Sequence, residues 1–301
     1  MSVRPPTLDF PRHLGEAADF IEKSLDALLP QPVGPERRLI EAMRYAALGG
    51  GKRLRGFLVL QSGLLCGVAR RSLGRVAAAV ECVHAYSLAH DDLPAMDDDD
   101  VRRGMPSLHK AFDEATAILA GDALLTFAFA LLASPEAHED PFVRCELTGS
   151  LAAASGHAGM IGGQMMDIAL TGKSPALPEI TRLQRMKTAA LMTFSCEAGA
   201  ILGKASSAGR SALAAYGQAL GLAFQIADDL LDAEGDAAQM GKAANKDMAL
   251  GKSTVVSLLG VERARAHAQA LAQQAVRHLD LFDEKADLLR AAADFVVSRR
   301  A

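Results

Sequence analysis

The sequence lacks several features that mark particular classes of protein. Its four cysteines are widely scattered and none forms a Cys-x-x-Cys pair, which argues against zinc and dithiol redox sites and is typical of thiols in a reducing cytosol. No Pro-, Gly- or Ser-rich linker and no long block of like charge divides the 301 residues. The net charge of −4 lacks the basic excess of a nucleic-acid-binding protein. We therefore expect small-molecule partners and no nucleic acid.

Long hydrophobic runs are also scarce. No apolar run follows the charge near the N-terminus, so we expect no secretory signal. The most apolar stretch, residues 115–133, is interrupted by Asp122, which favours a buried helix over a membrane span. These features predict a cytoplasmic protein without stable membrane insertion.

The residues that are abundant favour helices. Half the chain is apolar, only 5% is aromatic, and alanine is frequent, a composition that suits close-packed helices better than sheets. We predict an all-α chain forming one domain over residues 1–301. Apolar residues recur at helical spacing over 14–29, 36–48, 72–93, 113–133, 140–157, 160–170, a segment from before Lys187 to Gly203, 216–232, 260–280 and 284–298. Glycines between 156 and 163 leave open whether 140–157 and 160–170 form one bent helix.

Residues 91–100 contain six aspartates, and Arg102 and Arg103 follow at once. Carboxylate oxygens are the ligands that Mg²⁺ prefers, usually together with substrate phosphates. Asp91 and Asp97 are six residues apart, so a regular helix would point them to opposite sides. Pro94 disrupts the helix between them, and a loosened turn there would bring Asp97 back beside Asp91. Taken alone, the cluster also fits a solvated acidic loop.

A second acidic group strengthens the metal hypothesis. Gln225, Asp228, Asp229 and Asp232 fall at i, i+3, i+4 and i+7 on a helix otherwise rich in Ala, Leu, Ile and Phe. Acidic groups on such an apolar helix are costly unless they are compensated. Two aspartate clusters with basic residues near by predict a site that holds a polyphosphate through metal ions.

Cations elsewhere in the chain offer a second anion site. Lys52 and Arg55 are three residues apart and follow three glycines, so they fit either a solvent-facing patch or a clamp for an anion. His84 lies seven residues before Asp91 on nearly the same helix face, and a packed core histidine is the alternative. Lys187, taken alone, fits a surface residue. Gly251-Lys252-Ser253-Thr254 resembles the end of a P-loop, but Lys246 stands where the pattern needs glycine.

These groups support ionisation of a C–O bond to diphosphate. Metal ions and cations can stabilise the charge on the departing diphosphate, and a dry apolar pocket would protect an allylic carbocation. Lys52, Arg55, His84 and Arg103 are candidates for a second diphosphate that needs no metal. No Ser-His-Asp or Cys-His arrangement is evident.

The motifs resemble those of the trans-isoprenyl diphosphate synthases, most closely the bacterial farnesyl diphosphate synthases. The resemblance covers about residues 36–260 and rests on the following segments: Gly50-Gly51-Lys52-Arg53-Leu54-Arg55, residues 81–90, residues 91–97, Arg102-Arg103-Gly104, Gly121-Asp122, Gly163-Gln164, Lys187-Thr188 and residues 224–232. It implies an isoprenoid synthase fold of ten or more helices around a central cavity, and a homodimer.

The resemblance also implies a division of roles. Asp91, Asp97 and Asp228 would bind Mg²⁺, three ions per site, with Asp92, Asp229 and Asp232 in support. The allylic diphosphate would contact Arg102, Lys187, Thr188, Gln225 and Lys242, and isopentenyl diphosphate would contact Lys52, Arg55, His84 and Arg103. Ionisation, condensation and loss of a proton to the departing diphosphate would follow, with Asp91, Asp97, Arg102, Lys187 and Asp228 as the catalytic group. The loop carrying Lys242 and Lys246 varies in the family.

Product length in this family is set below the first aspartate motif. There Tyr86, with Ser87 beside it, would stop the growing chain at C15, although an ordinary packing tyrosine is the alternative. The other functions considered are a geranylgeranyl diphosphate synthase, a class I terpene cyclase, whose second metal motif would differ, and a non-catalytic regulatory subunit, which would usually lose an aspartate motif.

Overall fold

The computed structural model describes residues 8–234 and 253–298. Its helices in the first half of the chain are α1 (Phe10–Leu28), α2 (Arg37–Ala47), α3 (Leu54–Leu65), α4 (Arg70–Asp91), α5 (Leu108–Ala111), α6 (Glu114–Ala133) and α7 (Pro141–Ser155). The second half contains α8 (Met160–Leu170), α9 (Leu177–Gln184), a π-helical segment (Arg185–Ala189), α10 (Ala190–Leu202), α11 (Ser207–Glu234), α12 (Val255–Leu259), α13 (Val261–His278), a 3₁₀ turn (Glu284–Ala286) and α14 (Asp287–Ser298). The all-α prediction is confirmed.

Local sequence explains several helix ends. The Asp113 side chain accepts a hydrogen bond from the N–H of Thr116 at 2.7 Å and caps α6. Asp140 caps α7 in the same way, with proline at its first position. Helices α7 and α8 are separate, because α7 ends before Gly156 and α8 begins after Gly159.

One helix and one connection differ from the sequence prediction. Helix α11 begins at Ser207, nine residues before the predicted start at 216, because Ala and Leu continue the helix and the Ser206 hydroxyl accepts from the N–H of Gly209. The second difference is a two-stranded hairpin, Val101–Arg102 with Met105–Pro106, in a chain for which no strand was predicted.

The core is built mainly on α4, α10 and α11. Almost every residue of α4 from Val76 to Ala85 is buried, and α4 packs against α1, α3 and α6. Helices α3 and α10 approach closely at Gly199, where an added Cβ would lie 2.3 Å from the N atom of Gly63. Close packing of small residues therefore holds α3 against α10 in the core.

Among the described residues, α6 is the one helix whose length and composition would allow it to cross a membrane. A core helix of a soluble protein passes the same test, and 39% of its most apolar window is buried. It packs against α4, α2 and α7, while Ile118 and Leu119 lie exposed on its surface.

Candidate active site

The first aspartate cluster begins where α4 ends. The backbone N–H of Asp97 donates to the carbonyl oxygen of Asp91 at 2.8 Å, and that of Asp99 donates to Asp92 at 3.2 Å. These bonds span more residues than an α-helical bond, because the chain turns back around Pro94. The loosened turn expected at Pro94 is confirmed, and it brings Asp97 back beside Asp91.

Asp91 lies in a crowded acidic environment. Burial, together with the Asp97 and Asp92 charges, raises the pKa of Asp91 to about 6, although Lys187 and Arg102 act in the opposite direction. A cation placed among these carboxylates would relieve the crowding. The donor set is therefore chemically suited to a hard divalent ion.

Asp92 is held by Arg102. The guanidinium contacts both carboxylate oxygens, with Nε at 3.0 and 3.2 Å, and its Nη2 lies 3.4 Å from Asp99. Asp92 is only 2% exposed. This paired arrangement positions Arg102 next to the Asp91 carboxylate, where its charge lowers the pKa of Asp91.

The hairpin explains the Arg-Arg-Gly sequence. Arg103 (φ 53°) and Gly104 (φ 75°) are the two turn residues, and a tight two-residue turn of this kind needs positive φ at both positions. Arg102 lies in the strand and Arg103 in the turn, so adjacent arginines reach different neighbours. The Arg103 guanidinium donates to the carbonyl oxygen of Gly50.

The second acidic cluster is fixed by amide groups. Thr188 Oγ1 donates to Gln225 Oε1 at 2.6 Å, and Gln225 Nε2 donates to Asp229 Oδ1 at 3.0 Å. Gln184 Nε2 donates to the other oxygen of Asp229, also at 3.0 Å. Asp229 is thus a buried, hydrogen-bonded carboxylate, whereas Asp228 is half-buried. Asp232 is half-buried on the next turn of α11.

Lys187 lies in the π-helical segment, a type of insertion common at functional sites. Its Nζ donates to Asp167 Oδ2 at 2.6 Å. Helix α8 can approach this segment because Gly163 has no side chain, and an added Cβ would lie 2.3 Å from the N atom of Lys187. This close packing explains why glycine stands at the first position of the Gly163-Gln164 motif.

Charges connect the two acidic clusters. Lys187, which is paired with Asp167 on α8, is also the largest charge that lowers the pKa of Asp91. Asp228 acts electrostatically on Arg55 at the start of α3. The interactions of Lys187 and Arg55 therefore indicate that α4, α8, α11 and the start of α3 surround a shared polar region.

A cationic pocket lies beside this region. It has a volume of about 280 Å³, and its lining includes Lys52, Arg55, His84 and Arg103, with Phe224 and Phe295 on the apolar side. Lys52 Nζ lies 5.6 Å from the centre of the Phe295 ring. Arg55 Nε is buried without a hydrogen-bond partner among the described residues. The pocket lining thus includes a buried cationic donor group that no described residue satisfies.

The environment of this pocket disfavours the charged form of His84. Burial, followed by the charges of Arg55 and Arg103, lowers the pKa of His84 well below its usual value. An anion bound between these cations would offset their repulsion. The same reasoning applies to Arg55, whose pKa is lowered by burial.

Arg53 stabilises the wall of this pocket through hydrogen bonds to other protein groups. It is 4% exposed, and its guanidinium donates to Glu22 Oε2, to the carbonyl oxygen of Ala47 and to Glu81. Glu81 also accepts from the N–H of Gly56 at 2.9 Å. The sequence motif contains three cations, but only Lys52 and Arg55 remain for a ligand.

Tyr86 lies five residues before Asp91 and is 5% exposed. Its ring contacts His90 edge to face at 5.7 Å, and its hydroxyl has no hydrogen-bond partner among the described residues. Burial, with a contribution from Asp91, raises the pKa of Tyr86 to about 12. Ser87 is different, because its hydroxyl donates to the carbonyl oxygen of His84.

Some site residues were missed by the sequence analysis, and one predicted residue is not described. Asp167 and Gln184 hold Lys187 and Asp229, yet neither was predicted to act at the site. A signal for Asp167 existed, since it is three residues after Gln164 on one helix face. Lys242 and Lys246 lie outside the described residues.

Known proteins are similar to this chain over nearly its full length. The polyprenyl synthetase family model matches residues 36–293. The chain is 44% identical over 299 residues to farnesyl diphosphate synthase of Escherichia coli, covering 97% of this chain and 99% of that one. It is 39% identical to the Geobacillus stearothermophilus farnesyl diphosphate synthase over 300 residues, with 97% and 98% covered.

Solved structures agree with these relatives. The apo crystal structure of an FPP/GFPP synthase from Zymomonas mobilis has 48% identity and a TM-score of 0.87, covering 97% of this chain and 99% of that one. A geranyltransferase from Helicobacter pylori, complexed with magnesium and isoprenyl diphosphate, has 33% identity and a TM-score of 0.82, with 99% and 98% covered. Together with the two aspartate clusters and the helical fold, these matches show that the chain belongs to the polyprenyl synthetase family.

Proposed function

We propose that this protein is a trans-prenyltransferase that condenses isopentenyl diphosphate with dimethylallyl or geranyl diphosphate to form farnesyl diphosphate. The observation that carries the proposal is the pairing of an acidic region around Asp91 with a cationic pocket around Arg55. The two environments suit two diphosphates held in different ways. The names of the similar proteins support the same reaction.

The allylic diphosphate is assigned to the acidic region. Asp91, Asp97 and Asp228 would hold Mg²⁺, three ions per site, and their carboxylate oxygens fit this ion. When bound, Mg²⁺ neutralises charge that develops on the departing diphosphate. The cationic side chains Arg102 and Lys187 exchange part of their pairing with Asp92 and Asp167 for phosphate oxygens. Thr188 and Gln225 add hydrogen bonds, as does Lys242 in the loop outside the described residues.

Isopentenyl diphosphate is assigned to the cationic pocket. Lys52, Arg55, His84 and Arg103 line it. The unpartnered Arg55 Nε supports this assignment, because a buried donor without a partner is unfavourable until a ligand accepts from it.

The reaction follows from this arrangement. The C–O bond of the allylic diphosphate breaks and its electron pair leaves with the diphosphate. The double bond of isopentenyl diphosphate attacks the allylic cation and forms the new C–C bond. A proton is then lost to the released diphosphate, so no protein base is required. The apolar helices exclude water from the cation.

The product is assigned as C15 because Tyr86 fills the space below Asp91. A bulky buried ring there disfavours the C20 alternative. The intact carboxylates of both clusters disfavour the regulatory-subunit alternative, which would bind substrate without turning it over.

We further propose that the chain acts as one domain and as a cytoplasmic homodimer. A shared hydrophobic core that includes residues from Phe10 to Val296 supports the single domain. Exposed Ile118 and Leu119 on the apolar helix α6 support a partner subunit at this face.

Product analysis tests the function. Purified protein is incubated with isopentenyl diphosphate, Mg²⁺ and either dimethylallyl or geranyl diphosphate, and the products are separated by chromatography. We expect both reactions to stop at C15, Asp91→Asn and Asp228→Asn to lose turnover at least a hundredfold, and the exposed control Asp280→Asn to retain it. Equal turnover in all variants would contradict the proposed site, and C20 products from the unaltered protein would contradict the product assignment.

A further inference from the structure

A second group of metal-binding side chains lies around the hairpin. One carboxylate oxygen each from Asp98 and Asp100 and one ring nitrogen of His109 lie within 4.8 Å of one another. Both aspartates are exposed, but His109 is only 7% exposed. Exposed acidic groups alone are common without an ion, so the argument depends on the histidine.

The His109 ring is oriented and incompletely bonded. Its Nδ1 lies 3.1 Å from Ser107 Oγ, whereas its Nε2 is buried without a hydrogen-bond partner among the described residues. When Nδ1 carries the proton and donates it to Ser107, Nε2 presents a lone pair. This is the form in which histidine binds metals, with the other nitrogen fixed by a hydrogen bond.

We propose that Asp98, Asp100 and His109 bind a divalent transition-metal ion of the Zn²⁺ type. One imidazole and two carboxylates are ligands that Zn²⁺ accepts, whereas Mg²⁺ favours oxygen alone. Water would complete the coordination on the exposed side.

Asp98 and Asp100 act on a different cation from those that face Asp91. The side-chain charges that most affect the pKa of Asp91 are those of Lys187, Asp97, Arg102 and Asp92. Asp100 and Asp98 instead raise the pKa of the exposed Lys110. Lys110 Nζ lies 2.9 Å from Asp100 Oδ1 and therefore competes with a metal ion for this carboxylate.

The position of the ligands indicates what the ion does. Asp98 and Asp100 precede the first strand of the hairpin, and His109 follows the second. A bound ion fastens the two ends together and stabilises the turn that carries Arg102 and Arg103. The site therefore acts as a structural clamp, and its existence does not depend on the reaction proposed above.

Equilibrium dialysis with Zn²⁺ in excess Mg²⁺, followed by metal analysis, tests the site. We expect the unaltered protein to bind one Zn²⁺ per chain more than Asp98→Asn or His109→Gln at the same free Zn²⁺. Asparagine suits position 98 because it tolerates the left-handed backbone found there, at φ 50°. Lys110→Ala should bind Zn²⁺ several-fold more tightly because the competing ammonium group is removed.

Two controls separate this site from other carboxylates. Glu114→Gln, an exposed change on the next helix, should bind Zn²⁺ like the unaltered protein, and Asp91→Asn should bind one Zn²⁺ per chain more than the double variant Asp91→Asn/Asp98→Asn. Zn²⁺ should also raise the Tm of the unaltered protein but not that of Asp98→Asn. Equal Zn²⁺ binding by Asp98→Asn and the unaltered protein, or by Asp91→Asn and the double variant, would overturn the proposal. Loss of turnover in Asp91→Asn with the Asp98-dependent Zn²⁺ retained separates this result from the proposed function.

Discussion

At the scale of single residues, the side chains of the candidate site are defined by what surrounds them. The sequence predicted Asp91 from residue type and spacing, and the family resemblance implied the roles of Lys187 and Tyr86. It did not predict that Lys187 pairs with Asp167 or that Arg102 pairs with Asp92, because both contacts join segments whose relative positions depend on packing. Residue chemistry was therefore predictable, but residue partners were not.

Replacing Tyr86 with Ala should lengthen the products beyond C15, because it opens the space that the ring fills. The change should also cost about 3–5 kcal/mol of stability, as expected for removal of a buried aromatic ring. Chromatography of the products and a Tm measurement check both effects. Tyr86→Phe is the matched control: it keeps the ring and removes a hydroxyl without a hydrogen-bond partner, so its products should remain C15. Unchanged products in the Ala variant would exclude length control by this residue.

His84 should make stability depend on pH. Its pKa lies well below 6.5 in the folded protein, so the unfolded chain binds the proton more readily. The unfolding free energy is therefore fully retained above about pH 6.5 and falls as the pH is lowered below it. We expect Tm to fall less between pH 7.5 and 5.5 in His84→Asn than in the unaltered protein.

Bound isopentenyl diphosphate should reduce the difference between the pKa of His84 in the folded protein and in the unfolded chain. The negative charge of the ligand favours the protonated histidine. The exposed His157 offers a control, and His157→Asn should keep the slope of the unaltered protein. Identical slopes for His84→Asn and the unaltered protein would contradict a buried neutral imidazole.

At the scale of elements, the helices were predicted more accurately than their irregularities. Apolar spacing predicted α4 and α6 closely, and Pro94 predicted the turn after α4. The π-helical segment was not predicted, because Arg185–Ala189 has no local signal that separates it from an α-helix; it forms where α8 and α11 press against it. The hairpin had a signal in Arg103-Gly104, since such turns favour glycine.

Gly163→Ala should disrupt the π-helical segment. The added Cβ would lie 2.3 Å from the Lys187 backbone, so α8 must move and the Lys187–Asp167 contact must weaken. We expect the free energy of unfolding to fall by about 1–3 kcal/mol, as in an overpacked core. We also expect kcat to fall at least tenfold. A Cβ added at Gly149 on α7 would meet no packing neighbour within 4 Å, so Gly149→Ala should instead raise the free energy of unfolding by roughly 0.5–1 kcal/mol. Thermal unfolding and steady-state kinetics check both, and equal behaviour of the two variants would refute the packing argument.

At the scale of the whole molecule, the helices bring together residues from Lys52 to Gln225 that are distant in sequence. The all-α class followed from composition and spacing. The arrangement of α3, α4, α8 and α11 around one polar region did not, since helix order alone leaves several packings possible. The family resemblance implied helices around a central cavity, and the structural matches agree with the all-α fold.

The exposed face of α6 should mediate subunit association. Leu119 is 58% exposed on this apolar helix, so Leu119→Asp would place a charge in the proposed dimer interface. We expect the unaltered protein to sediment as a dimer and the variant to shift to monomer. Leu281→Asp, at a comparably exposed leucine between α13 and α14, should remain dimeric. A monomeric unaltered protein would contradict the proposed assembly.

The division between an acidic and a cationic diphosphate site is tested most directly by calorimetric binding of the two substrates with and without Mg²⁺. An unreactive thiolo analogue of dimethylallyl diphosphate is used for the allylic site. The analogue should bind only with Mg²⁺ and only when both Asp91 and Asp228 are present. Isopentenyl diphosphate should bind without Mg²⁺ and lose at least tenfold in affinity in Arg55→Gln. Tight analogue binding by Asp91→Asn or Asp228→Asn, or equal Mg²⁺ dependence of the two ligands, would contradict this account.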